Sequence, residues 1–116
     1  MYSLTSGNKY YLYQGFIRMN LGIDGLYKLV RSQMQQLSPI SGDAFIFLGR
    51  RRQGVKILKW DGDGFLLYYK RLEGGTFELP VFNPNTGNYE ISYTALTFIL
   101  NGVSLKSVRL RKRFRL

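Results

Sequence analysis

The chain has no cysteine and no histidine. Without thiols it forms no disulfide and no thiolate metal site, which agrees with a reducing compartment. Without imidazole it lacks the side chain most used as a general base and as a metal ligand. Carboxylates are scarce as well: Asp24, Asp43, Asp61, Asp63, Glu73, Glu78 and Glu90 are the whole set. Of these, only Asp61 and Asp63 are close in sequence, within Asp61-Gly62-Asp63-Gly64. Such a pair suits a metal-dependent nuclease, but Asp-Gly is also how a hairpin turn is written. The turn is the better reading. An EF-hand loop counted from Asp61 would need a bidentate Glu at its twelfth position, which here is Leu72. A Walker A sequence and a glycine fingerprint between strand and helix are both missing. Together these absences predict a protein that is not an enzyme and uses no cofactor or metal.

Long apolar runs are missing too. Nothing approaches the roughly 18 uninterrupted apolar residues of a membrane span. The opening MYSLTSGNKYYLYQG has no basic segment followed by an apolar one, so no targeting signal is read there. The expectation is a cytoplasmic protein with no membrane partner.

Positive charge is what the chain has in excess. Seventeen Lys and Arg stand against seven Asp and Glu in 116 residues, a formal net charge of +10. The isoelectric point is near 10.1. So basic a small domain carries the usual electrostatic footprint of nucleic-acid binding, although ribosomal or anionic-membrane association gives the same balance. With 45% hydrophobic and 16% aromatic residues, the chain can also build a packed core as one domain.

Periodicity divides the chain into elements. Tyr10-Tyr11-Leu12-Tyr13, bounded by Gly7 and Gly15, reads as a strand. Ile23, Leu26, Tyr27, Val30, Met34 and Leu37 mark one face of a helix of about four turns. Asn20 is its expected N-cap, and Ser38-Pro39 its end. Strands are expected from Ala44 to Leu48, Val55 to Trp60, Phe65 to Leu72 and Thr76 to Leu79, joined by glycine-bearing turns. They are apolar on both faces in places, so helix must cover at least one face. Asn83-Pro84-Asn85-Thr86-Gly87-Asn88 is a loop by composition. A second helix begins near Ser92, with Leu96, Ile99, Leu100 and Val103 at helical spacing and Asn101-Gly102 as its C-cap. The predicted class is α+β: a small antiparallel β-meander of about four to five strands packed against two helices. Residues 1–106 are expected as a single compact domain, and 107–116 as a basic C-terminal strand or tail.

The cations are grouped. Arg50, Arg51 and Arg52 fill the turn between Gly49 and Gly54, and Lys56, Lys59, Lys70 and Arg71 continue along the strands. Near the end, Arg109, Arg111, Arg113 and Arg115 alternate with Val108, Leu110, Lys112, Phe114 and Leu116. Period two would put those arginines on one face of a strand, whereas a solvated basic tail needs no such order. The arginine fork suits phosphate oxygens and guanine edges alike. The plain alternative is a hairpin tip kept soluble. The candidate nucleic-acid-binding set is thus Arg50, Arg51, Arg52, Lys56, Lys59, Lys70, Arg71, Arg109, Arg111, Lys112, Arg113 and Arg115. Aromatics can stack on bases, but Phe45, Phe47, Trp60, Phe65, Tyr68, Tyr69 and Phe77 lie on strands that need a core. Core is the expected role for them; Tyr10, Tyr11 and Tyr13 are open to either.

These residues also resemble a known family. Gly22-Ile23-Asp24-Gly25-Leu26, Leu29-Val30, Ser41-Gly42, Phe45-Ile46-Phe47 and Gly49-Arg50-Arg51 follow its pattern. Lys56-Ile57-Leu58, Trp60-Asp61-Gly62-Asp63-Gly64, Tyr69-Lys70-Arg71-Leu72-Glu73, Gly75, Phe77 and Pro80 continue it. The match, from about Gly15 to Val103, is similar to the accessory protein of the insertion-sequence family numbered sixty-six. That protein is the TnpB-type product of the second open reading frame. The resemblance implies a non-catalytic role in transposition beside a separate transposase that carries the acidic catalytic residues. One segment departs: family members often read Asp-Met-Arg-Lys where this chain has Arg18-Met19-Asn20-Leu21. Two functions follow. The protein binds DNA through its basic surface, or it is an adapter that docks on the transposase without touching nucleic acid.

Overall fold

The computed structural model describes residues 4–78 and 90–101. Its elements run β1 (Tyr10–Ile17), α1 (Ile23–Gln33), β2 (Ala44–Gly49), β3 (Gly54–Trp60), β4 (Phe65–Arg71), β5 (Glu90–Ile91) and α2 (Tyr93–Leu100). The five strands form one sheet in the order β4-β3-β2-β1-β5. β2, β3 and β4 are the expected antiparallel meander, with Phe45 opposite Leu58 and Ile57 opposite Tyr68. β5 lies antiparallel to β1. The class is α+β, and the pairing is largely antiparallel.

One pair is parallel. β1 runs alongside β2, with Tyr10 opposite Ala44 and Leu12 opposite Ile46. α1 is the crossover that parallel neighbours require, since a tight turn cannot join them. The β1 register shifts between Leu12 and Phe16, which faces Leu48. Four residues of β1 therefore advance against two of β2, and the strand continues through Gly15 to Ile17 instead of ending there. Bulges of this kind bend a strand without moving its inward residues to the wrong face.

Both faces of the sheet are covered. Tyr11, Phe45, Phe47 and Leu58 pack under α1 with Leu26, Val30 and Met34. Tyr10, Leu12, Ala44, Ile46, Leu48, Val55 and Ile57 pack on the other side with Leu96, Ile99 and Leu100 of α2. Alternate residues of each strand go to opposite cores, so β2, at the centre of the sheet, is apolar and buried along its whole length.

The helices start as their sequences dictate, with two differences. α2 is capped as expected: the Ala95 N–H donates to the Ser92 side chain at 3.0 Å, and Asn101 closes the helix. α1 is capped by Gly22 and not Asn20, with no side-chain hydrogen bond. It ends at Gln33, a turn earlier than periodicity predicts. There the chain swings back towards β2, burying Met34 and Pro39. The strand expected from Thr76 is also absent over residues 76–78. Phe77 is fully buried in the α2-side core, and its N–H donates to Arg52 O at 2.6 Å. Burying such a ring contributes about 2–3 kcal/mol, comparable to the two or three ladder bonds a short strand would add at about 1 kcal/mol each. Leu79, the 83–88 loop, Gly102, Val103 and the 107–116 tail lie outside the described residues.

Candidate nucleic-acid interface

The β2–β3 hairpin carries the arginine turn, and its base is fixed from several sides. Arg52 N–H donates to Gly49 O at 2.8 Å, which closes a tight turn over Arg50 and Arg51. Arg52 itself has φ +55, the left-handed conformation that ends such loops. Its carbonyl accepts from Phe77, and the Gln53 carbonyl accepts from Leu72 N–H at 2.7 Å. On the α1 side, Met19 lies across both flanking glycines. A Cβ on Gly49 would stand 2.7 Å from Met19 Sδ, and one on Gly54 would stand 2.6 Å from Met19 Cε. Glycine at both strand ends is what lets the 19–21 segment lie against the hairpin.

Lys56 completes that clamp, and it corrects the expectation placed on it. It is buried, at 7% exposure, under the α1 side of the sheet. Its ammonium donates to Met19 O at 2.8 Å and Leu21 O at 2.7 Å, and sits 5.2 Å from the centre of the Tyr69 ring. A lysine held this way is a structural tie and is not presented to a phosphate. Both carbonyls belong to the segment where this sequence departs from its resemblance.

The other cations divide by position. Arg50 and Arg51 are exposed and Arg52 is partly so. Among the described residues no carboxylate pairs with any of the three. Arg71 pairs in register with Gly54, beside the turn, and is exposed; its guanidinium meets Glu73 at 3.2 Å. An exposed pair of this sort is worth well under about 1 kcal/mol and yields readily to another anion. Lys70 points to the opposite side of the sheet, where its ammonium donates to Leu100 O at the C-terminal end of α2. That position suits a cation, because the helix dipole ends there. Lys59 is also on the α2 side, at the far end of β3, with Asp61 at 4.0 Å. The structure therefore gathers Arg50, Arg51, Arg52 and Arg71 at one end, and separates Lys56, Lys59 and Lys70 from them. Arg109, Arg111, Lys112, Arg113 and Arg115 fall outside the described residues.

The Asp61-Gly62-Asp63-Gly64 segment is a hairpin turn: Asp61 N–H donates to Gly64 O at 2.7 Å, and Gly62 has φ +85. Among the described residues no three His, Cys, Asp or Glu side chains gather as a metal site. No described helix is long and apolar enough to cross a membrane. A cleft of about 310 Å³ lies between β4 and α2, lined by Leu4, Tyr68, Lys70, Tyr93, Leu96 and Leu100 among others. Among the described residues lining it, Lys70 is the only charged one.

Sequence reasoning missed two residues of this end. Met19 gave no signal of its own, although Gly49 and Gly54 bracketing the turn were a sign of close packing. Tyr69 was assigned to the core and is instead half exposed, at 50%.

Such a molecule is a small basic α+β protein whose arginine turn has no carboxylate partner among the described residues. The chain belongs to the IS66 Orf2-like family: the model described as IS66 Orf2 like protein matches residues 8–110. Membership associates it with IS66 transposition in an accessory capacity, and so with a transposase. Two relatives come from Sinorhizobium fredii (strain NBRC 101917 / NGR234). The uncharacterized protein y4hO is 33% identical over 89 residues, covering 77% of this chain and 75% of its own. The uncharacterized protein y4jC is 39% identical over 59 residues, 51% of this chain and 50% of its own. No solved structure matches.

Proposed function

We propose that this protein is a non-catalytic DNA-binding accessory subunit of an IS66 transposition system, acting in the cytoplasm beside a separate transposase. The observation that carries the reading is the arginine turn. Three adjacent guanidinium groups sit on a hairpin fixed at its base, with no carboxylate partner among the described residues. Binding is driven mainly by phosphates, with sequence choice left to the transposase. Arg71 joins the turn, and Arg109, Arg111, Lys112, Arg113 and Arg115 extend the contact from a basic arm over 107–116. Residues 1–106 act as the single domain that holds the turn in place. Lys56, Lys59 and Lys70 are not counted on to touch DNA.

Fluorescence anisotropy with element-end and unrelated duplexes tests this at several salt concentrations. Contact with six or more phosphates makes affinity fall about 10³-fold or more between 50 and 200 mM salt. Replacing Arg50, Arg51 and Arg52 together by Gln lowers the slope of log affinity against log salt by about 2.7, at about 0.9 per phosphate. Replacing the five tail cations by Gln lowers it by about 4.5 on the same count. A flat salt dependence refutes DNA binding. Co-purification with the transposase from nuclease-treated extracts, unaffected by the tail substitutions, would then assign the protein to the adapter role.

A further inference from the structure

β4 leaves one aromatic ring uncovered. Phe65, Leu67 and Tyr69 share the α1 side of the sheet, because alternate residues of a strand face the same way. The first two are packed: Tyr27 of α1 meets the Phe65 ring edge-on at 5.7 Å, and Leu67 packs against the core beneath the helix. Tyr69 is not, and half of it lies in solvent. It is nevertheless firmly seated. Lys56 stands opposite it on β3 with the ammonium 5.2 Å from the ring centre. Gly54 lies alongside, where an added Cβ would be 3.4 Å from Tyr69 Cε1. Among the described residues no hydrogen bond engages the phenol.

Its position gives the exposure a meaning. Gly54 ends the arginine turn and is the register partner of Arg71, which is on the same side of the sheet as Tyr69. A rigid, open ring therefore lies at the foot of four cations: Arg50, Arg51, Arg52 and Arg71. Lone exposed apolar side chains need no explanation, but a seated aromatic inside a cationic rim is the pairing that single-stranded nucleic acid uses. Phosphates go to the cations and an unpaired base goes to the ring. A duplex keeps its bases stacked on each other and offers this ring nothing.

We propose that Tyr69 is a base-stacking platform and that the nucleic acid held at this end of the sheet is single-stranded. The proposal rests on the reading that the arginine turn binds nucleic acid. Anisotropy measurements test it with a labelled oligothymidine of about 15 nucleotides, near the upper site size for such binders, and a duplex of equal length. Four full-length proteins are compared: wild type, Tyr69→Leu, Tyr69→Phe, and the variant with Arg50, Arg51 and Arg52 changed to Gln. Tyr69→Leu should bind the single strand at least about fivefold more weakly, fivefold being the low end for loss of one stacked base. Its salt slope and duplex affinity should match wild type, and Tyr69→Phe should stay within about twofold. Equal weakening on both nucleic acids would make Tyr69 structural and overturn the proposal. Unchanged single-strand binding by Tyr69→Leu, with the arginine variant weakened, would overturn stacking and leave the electrostatic reading standing. Loss of transposase co-purification with single-strand affinity intact would assign the ring to a protein partner and overturn it too. Wild type binding neither nucleic acid would overturn both readings.

Discussion

Replacing Lys56 by methionine tests what holds the arginine turn in place. Methionine keeps nearly the length and packing of the lysine stem, so little cavity forms. What disappears is the ammonium, with its bonds to Met19 O at 2.8 Å and Leu21 O at 2.7 Å. Hydrogen bonds to a charged donor contribute about 1.5–3 kcal/mol each. The neighbouring residues Arg18, Asn20 and Gly22 are exposed, so the abandoned carbonyls can turn towards water. That favours the low end, about 3 kcal/mol for the two. Those values already include the ammonium's desolvation, so the expected loss stays at about 3 kcal/mol. For 116 residues the unfolding entropy is about 0.24 kcal/mol/K. Lys56→Met should therefore lower Tm by about 12 °C in a calorimetric or circular-dichroism melt. Arg51→Gln, on the exposed turn, should change stability by less than about 0.5 kcal/mol. Native-state hydrogen exchange should also speed up around residues 18–22 in Lys56→Met and stay unchanged in Arg51→Gln. A Lys56→Met melt within about 2 °C of wild type would refute the tie.

Alkaline pH and the glycine contact give two further outcomes. Burial raises the pKa of Tyr10 and Tyr11, helped at Tyr10 by the neighbouring Tyr93 and at Tyr11 by the Asp43 and Glu90 carboxylates. The unfolded tyrosines ionise first, near pH 10. Stability is therefore fully present below about pH 10 and is lost as pH climbs towards the higher folded values. Urea midpoints measured across this range should fall less steeply for Tyr10→Phe/Tyr11→Phe than for wild type; equal steepness would contradict the assignment. Gly54→Ala forces Met19 Cε from a 2.6 Å approach and should cost about 1 kcal/mol. In a Met19→Ala background the same change should cost almost nothing, and a double-mutant cycle with no coupling would contradict the contact.

The meander was legible because β2, β3 and β4 are short apolar runs separated by glycine turns, and each pairs with its sequence neighbour. α2 was legible for the same local reason: Ser92 and Asn101 punctuate it. The β1–β2 pairing was not. It is decided by where α1 deposits the chain, and periodicity does not encode which strand becomes the neighbour. Lys56 was read as an outward cation because lysine is almost always exposed. Its burial depends on two carbonyls 37 and 35 residues away in sequence. Tyr69 shows the reverse: its strand parity was readable, but not that α1 would cover Phe65 and Leu67 and leave the third side chain open. The turn itself was plain from its three arginines. That its cations divide from Lys59 and Lys70 required the register.

Arg52 shows how firmly the arginine turn is fixed. At φ +55 it occupies a conformation that costs a non-glycine residue about 1 kcal/mol or more. Glycine would adopt it freely, and this chain uses glycine at Gly42, Gly62 and Gly75, where φ is likewise positive. Arginine at position 52 therefore accepts backbone strain, which the bonds to Gly49 and Phe77 offset. Residues that break a local conformational rule are commonest where a side chain has a use. With the backbone already fixed, a ligand orders only side chains, at about 0.5–1.5 kcal/mol each. The need for this economy follows from where the charge lies. Residues 4–78 and 90–101 hold eleven Lys and Arg against seven Asp and Glu, whereas 106–116 hold six cations and no carboxylate. The described residues are thus only modestly basic, and they display a few guanidinium groups in a set geometry beside Tyr69. Residues 106–116 hold charge in quantity, and the turn holds a few charges in a fixed position.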